Sequence, residues 1–213
     1  MKKYAIIIIG VLLVLGLVGL LVMAVAGASY NGLVRLAQGA DSQWAQVENV
    51  YQRRADLIPN LVATVSGAAN FEKSTLTEIT AARASVGQVK LDPNAAPSDP
   101  AKLAAFEQAQ SQLSSALSRL LVVVEKYPDL KATENFRELQ AQLEGTENRI
   151  SVERRDFNTA VQAYNTAIKS FPAVLYAGAF GFNAKPYFTA TAGAETPPKV
   201  SFDFNQPASA EKQ

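Results

Sequence analysis

The chain has 213 residues with neither cysteine nor histidine. Thiolate nucleophiles, disulfides and cysteine zinc sites are therefore absent. So are the commonest general base, the commonest metal ligand and the usual near-neutral pH switch. The chemistry left to the chain belongs to carboxylates, arginines and hydroxyls. Glu144, Glu147, Glu153 and Asp156 form i, i+3 pairs on what reads as one helix. A carboxylate-bridged metal site in a helical bundle also needs Glu-x-x-His pairs, so these acids are expected on solvated or paired faces. There is no Gly-x-Ser-x-Gly elbow and no phosphate-cradling glycine loop. No lysine falls inside an apolar stripe, where its pKa would be depressed. The expectation is a protein without catalysis, cofactor or metal.

The informative charges are those that interrupt apolar stripes. Arg54 lies between Tyr51 and Ile58, and Glu147 and Arg154 flank Ile150. Burying any of them unpaired costs several kcal/mol, so partners are expected. The spacing predicts that Arg54 pairs with Glu147 across two helices, with Arg154 joining or extending that layer. The plainer alternative is that the arginines run their stems along the bundle edge with their heads in water. A paired layer fixes helix register and need not add stability.

The elements that must position these residues are helical. From Tyr30 to Val65, Trp44, Val47, Val50, Tyr51, Leu57, Ile58, Leu61, Val62 and Val65 recur at helical spacing. Gly39 and Asp41-Ser42 suggest a soft joint, and Pro59 predicts a kink or break. Gly67 and Asn70 mark a turn. A second helix is expected from about Phe71 to Val89, then a proline-rich loop from Asp92 to Pro100 with Ser98 or Asp99 as the next N-cap. A third helix covers Pro100 to Lys126 and stops at Pro128. A fourth starts after Asp129 and runs to Ser170, with Phe136, Leu139, Leu143, Ile150, Phe157, Val161, Tyr164 and Ile168 at bundle spacing. One short turn over Ala173 to Ala179 follows. From Gly193 the composition predicts a mobile tail. No period-2 strand pattern occurs.

Ahead of all this stands a greasy run. Ala5 to Ala28 holds 24 residues without a charge, and about 20 suffice to cross a bilayer. Tyr4 and Tyr30 bracket it at headgroup depth. A secretory signal peptide has an apolar core of about 7–15 residues, so a permanent anchor fits better. Without cysteine, lipoprotein acylation is excluded. Lys2 and Lys3 precede the span, and Arg35 is the nearest basic residue behind it. That asymmetry keeps the amino terminus in the cytoplasm and exports the rest. Setting Lys2 and Lys3 aside leaves 18 basic against 19 acidic residues, which argues against a nucleic-acid partner.

These residues together resemble the LemA family of bacterial membrane proteins. The resemblance runs from the anchor to about Phe188. It is carried by Tyr30-Asn31, Trp44 with Val47, and the string Arg53-Arg54-Ala55-Asp56-Leu57-Ile58-Pro59-Asn60-Leu61-Val62. It continues through Ala82-Arg83, Glu125-Lys126-Tyr127-Pro128, Thr146-Glu147-Asn148, Arg154, Phe157-Asn158, Tyr164-Asn165, Phe171-Pro172, Gly181-Phe182 and Tyr187-Phe188. Phe71 departs from it, standing where the family often carries histidine. The resemblance implies one anchor and an antiparallel helical bundle. It implies no activity, and its magnetosome-associated relatives suggest roles in membrane organisation.

The expected fold is all-α: an anchor over residues 1–29, a bundle of about four long helices over 30–182, and a mostly irregular tail over 183–213. The expected function is a non-catalytic scaffold or adaptor of the bacterial inner membrane, acting on copies of itself or on another envelope protein. The alternative is an extracytoplasmic four-helix sensor that signals through a partner. Tyr176, Phe180, Phe182, Tyr187 and Phe188 are the candidate interaction surface, since little periodicity buries them. The competing expectation is that they pack back onto the bundle end.

Overall fold

A computed structural model describes residues 2–67, 71–92 and 95–189. Among these residues five helices appear: α1 Lys2–Ser66, α2 Lys73–Gln88, α3 Pro100–Val124, α4 Pro128–Lys131 and α5 Glu134–Lys169. A 3-10 turn, Ala173–Leu175, follows. No strand occurs among the described residues. The expected mobile tail and the turn at Asn70 lie outside them.

The spine is α1, 65 residues without interruption. Its first part is apolar and exposed, with a window of mean hydropathy 2.9 that is entirely unburied. Its second part is the central helix of the bundle. The joint expected at Gly39 to Ser42 does not form. Asp41 is instead tied to the far end of the chain, and Ala40 is fully buried. The break expected at Pro59 does not form either. Proline at 59 denies the Ala55 carbonyl its helical donor. Arg83 of α2 supplies the missing donor, its Nε reaching Ala55 O at 3.1 Å. The helix thus continues through a residue that would otherwise leave a gap in its ladder.

The other helices return along this spine. α2 runs back from the distal end, and α3 climbs outward again. Asp99 caps α3, its carboxylate accepting from the Ala101 amide at 2.8 Å, with Pro100 in the first turn. The expected fourth helix is split. Tyr127-Pro128 starts the one-turn α4, and Thr133 then caps α5 by accepting from the Phe136 amide. A proline and a threonine five residues apart each favour a helix start, so the chain turns in two steps. α5 descends antiparallel to α1 and packs along most of its length beyond the apolar part.

Three apolar clusters stack along the bundle. The distal one gathers Leu57, Leu61, Leu113, Leu120 and Phe136, closed at its end by Phe71. Phe71 is buried and tilts against the Tyr127 ring at 5.0 Å. The middle cluster is aromatic, with Trp44 edge-on to Phe106 at 5.7 Å and to Phe157 at 5.5 Å. Such contacts contribute about 0.5–1.5 kcal/mol each beyond area burial. The basal cluster, next to the span, joins Leu33, Tyr164, Ile168, Ala173 and Ala177.

Candidate functional site

Between the middle and distal clusters the core turns polar. Arg54 lies on the inner face of α1, its side chain 2% exposed. Nη1 donates to Glu147 Oε2 at 2.7 Å and to Ser114 Oγ at 2.9 Å. Nη2 donates to the Gln110 carbonyl at 3.4 Å and to Gln110 Oε1. The guanidinium also stands 5.1 Å from the Tyr51 ring centroid. One cation thereby gathers α1, α3 and α5 into one layer. Glu147 sits at its rim, with a side chain 53% exposed. The pair is a buried cation reached by a half-solvated anion.

Arg154 does not enter that layer. It builds a second one two turns along α5, where Nη2 donates to Glu107 Oε1 at 2.9 Å and to Thr189 O at 3.0 Å. Its guanidinium lies 4.6 Å from the Phe188 ring centroid. Glu107 accepts in turn from the Thr189 amide at 3.1 Å and the Thr189 hydroxyl at 3.2 Å. Tyr51 lies between the two arginines. Burial pushes its phenol up, while Arg154 and Arg54 pull it partly back. Nearby on α1, burial and then the Asp92 carboxylate push Glu48 up as well.

The chain after α5 is part of this construction. Residues 183–189 run extended and antiparallel along α5. Asn165 holds Lys185 through both backbone groups: the amide nitrogen donates to Lys185 O at 2.8 Å, and Oδ1 accepts from Lys185 N at 2.9 Å. Asn158 holds Phe188 the same way, at 3.0 and 2.9 Å. Two asparagines seven residues apart share one helix face. Each carboxamide gives the strap the donor and acceptor that a neighbouring strand would give. Lys185 Nζ then reaches Asp41 Oδ1 at 3.0 Å, tying the strap to α1.

Of the residues read as an interaction surface, Phe188 is buried, stacked against Trp44 and edge-on to Phe157. It belongs to the middle core. Tyr187 is exposed on the strap. Tyr176, Phe180 and Phe182 gather at the base around Tyr30. Gln110, Ser114, Glu107, Asp41 and Lys185 were missed because each is an ordinary polar residue by type. Asn158 and Asn165 carried a signal: both follow a buried aromatic, Phe157 and Tyr164, at the same seven-residue interval.

An open groove of about 930 Å³ follows from this packing. α3 and α5 stand further apart than α1 and α5 do, and α1 forms the floor. Tyr51 and Arg54 line its base, Ser111, Ser115 and Ser118 one wall, Ile150, Ser151 and Arg154 the other. Toward the distal end it continues into a more apolar recess of about 350 Å³ beside Leu117, Leu121 and Leu143. Among the described residues, no group of three acidic side chains is placed to hold a metal. The groove joins a buried cation, hydroxyls and an apolar shelf, which suits recognition of a molecule with polar and apolar sides.

Several known proteins are similar to this chain in sequence. It is 27% identical to magnetosome protein MamQ 2 of Paramagnetospirillum magneticum over 210 residues, 91% of this chain and 75% of that one. Magnetosome protein MamQ of Magnetospirillum gryphiswaldense is 27% identical over 183 residues, 79% of this chain and 67% of that one. Protein LemA of Metamycoplasma hominis is 25% identical over 141 residues, 66% of this chain and 60% of that one. The profile of the LemA family matches residues 43–202, a span that takes in both arginine layers, the groove and the asparagine-held strap. This membrane-associated helical protein belongs to the LemA family.

Proposed function

We propose that this chain is a non-catalytic adaptor of the bacterial inner membrane, with its amino terminus in the cytoplasm and its bundle outside. Its groove between α3 and α5 receives a helical segment of another envelope protein or of a second copy. The observation that carries this reading is the groove itself: two long helices left apart over a floor that holds a buried cation. An amphipathic helix laid there would set its apolar side on the Leu117, Leu121 and Leu143 shelf and its polar side on the serines. The groove stands well clear of lipid. Arg54 is 26 residues beyond Ala28, about 39 Å at 1.5 Å per residue. Two lysines before the span support the orientation. Two of its relatives are named as magnetosome proteins, which accords with an organising role.

A photo-crosslinking side chain at Ser118 in growing cells tests this. Adducts with protein are expected at Ser118 and not at Gln162, an exposed position off the groove. Adducts at Gln162 with none at Ser118 would overturn the groove as the docking face. A small polar ligand is the second reading, favoured by the convergence of Arg54, Gln110 and Ser114 and by a buried Arg54 Nε without a partner. A small molecule that co-purifies with the protein and blocks the Ser118 adduct would decide for it.

A further inference from the structure

The chain leaves a second surface unexplained, at the foot of the bundle. Ser170 to Ala184 contains no charged residue, although 18% of the chain is charged. The segment folds into a compact cap. Its amides find acceptors inside it: Leu175 N on Pro172 O at 3.1 Å, Tyr176 N on Ala173 O at 3.0 Å, Phe182 N on Ala177 O at 2.9 Å. Gly181 closes the turn at φ +80°, a conformation that glycine adopts freely. Ala173 and Ala177 face inward onto Leu33 and Ile168. The large side chains face outward: Phe171 is 80% exposed, Leu175 75%, Phe180 65% and Val174 54%.

The height of this cap is fixed. Phe180 and Phe182 meet the Tyr30 ring edge-on at 5.6 and 5.4 Å. Tyr30 is two residues past Ala28, the last residue of the apolar run. The cap therefore lies beside the point where α1 leaves the bilayer, and its apolar side chains continue the apolar surface of the span. Exposed Arg35 and Lys169 flank it and suit lipid phosphates. A backbone that satisfies its own hydrogen bonds can enter the headgroup region at little cost.

We propose that residues 171–182 form an interfacial wedge that inserts Phe171, Val174, Leu175 and Phe180 into the headgroup–acyl boundary of the leaflet that α1 exits. The wedge is a second membrane contact, lateral to the anchor. It fixes which side of the bundle faces the lipid and stops the bundle swivelling about the α1 axis. This contact is independent of whatever the groove binds.

The absence of cysteine makes the test direct. Leu175→Cys in the full-length chain is labelled with a solvent-sensitive fluorophore and reconstituted into phosphatidylethanolamine–phosphatidylglycerol vesicles. Ser98→Cys serves as the exposed control, on the α2–α3 loop whose Ala96 amide is held by Asp41, about 20 Å of helix beyond Ala28. Trp44 emission, unchanged from wild type, confirms folding in both variants. Burial of about 5–10 Å into the boundary should lower quenching of the Leu175→Cys label by aqueous iodide about fivefold or more relative to Ser98→Cys. Lipids carrying a quencher on a shallow acyl position should quench the Leu175→Cys label alone. Equal iodide quenching at the two sites would overturn the wedge. So would shielding that disappears as the protein is diluted in lipid, since that marks contact between copies.

Discussion

The lopsided burial of the Arg54–Glu147 pair yields a double-mutant cycle with an asymmetric outcome. Glu147→Gln keeps the shape of the side chain but removes the anion that touches a guanidinium 2% exposed. The cation is left with neutral partners, Ser114 Oγ and the two Gln110 oxygens. Breaking a fully buried pair this way costs about 3–5 kcal/mol. Here the Glu147 side is half open to water, which restores part of the lost field, so about 1–2 kcal/mol is expected. Arg54→Met leaves a carboxylate that rehydrates readily and a flexible chain in place of the arginine stem. Its cost comes from Gln110, which stays buried and loses its partner, about 1–3 kcal/mol. In the Arg54→Met background the field at residue 147 is gone, so Glu147→Gln becomes neutral within about 0.5 kcal/mol. The coupling is then about 1–2 kcal/mol. Adding Gln110→Leu to Arg54→Met removes the orphaned amide and should recover most of the loss. Urea unfolding of the full-length protein in mild detergent measures each corner. Trp44, the sole tryptophan and fully buried in the middle cluster, reports it. A coupling below about 0.3 kcal/mol would refute the layer as an energetic unit and leave Arg54 as packing alone.

Three further outcomes follow from individual contacts. Arg83→Met should cost about 1 kcal/mol in the presence of Pro59 and clearly less in Pro59→Ala, where residue 59 regains its own amide donor; the same urea cycle reads the difference. Asn158→Leu removes both bonds to Phe188 and should cost about 1–3 kcal/mol; limited chymotrypsin digestion should then cut at Tyr187 or Phe188 well before the wild type is cut there. Glu48 has a folded-state pKa above its ordinary value of 4.5, so its contribution is full only below that value and is lost as pH rises through the folded pKa. Glu48→Gln should therefore raise the unfolding free energy at neutral pH, by under about 1 kcal/mol for a half-buried charge, and the gain should vanish below pH 4.5.

The helices were legible because their apolar stripes are long. Trp44 through Val65, Leu103 through Val124 and Phe136 through Ile168 all bury the faces their spacing predicts. The same periodicity made Arg54 stand out, since a charge at a core position demands a partner. Pro59 was misleading because local rules price the lost backbone bond but do not see a donor arriving from another helix. Gly39 and Asp41 misled likewise: the pull against a joint comes from Lys185, 144 positions along the chain. Residues 183–189 read as tail because an extended segment without strand neighbours has no periodic partner in sequence. Its partners are side-chain amides on a helix, and no strand pattern records those. The groove was illegible for a related reason. Each of its walls is a normal amphipathic helix, and only the distance between α3 and α5 makes a cavity.

The continuity of α1 ties these features into one mechanical argument. A helix that crosses the bilayer and then continues as the bundle's central member has no flexible element at the membrane exit. Any tilt of the span is then a tilt of the bundle, magnified by the roughly 57 Å that residues 29–66 extend beyond it. The basal cluster and the aromatic cap clamp α5 to α1 just above the exit, so the lever is a helix pair from its first turns. Above that, the Lys185–Asp41, Arg154–Glu107 and Arg54–Glu147 pairs come at successive heights along the rod. Apolar stripes alone permit sliding by a turn with modest loss, because one leucine replaces another. A buried charge does not, since a shift of one turn strands it without a partner. The three pairs thus lock the axial register of α1, α3, α5 and the strap, and the groove keeps a fixed shape at a fixed height above the lipid.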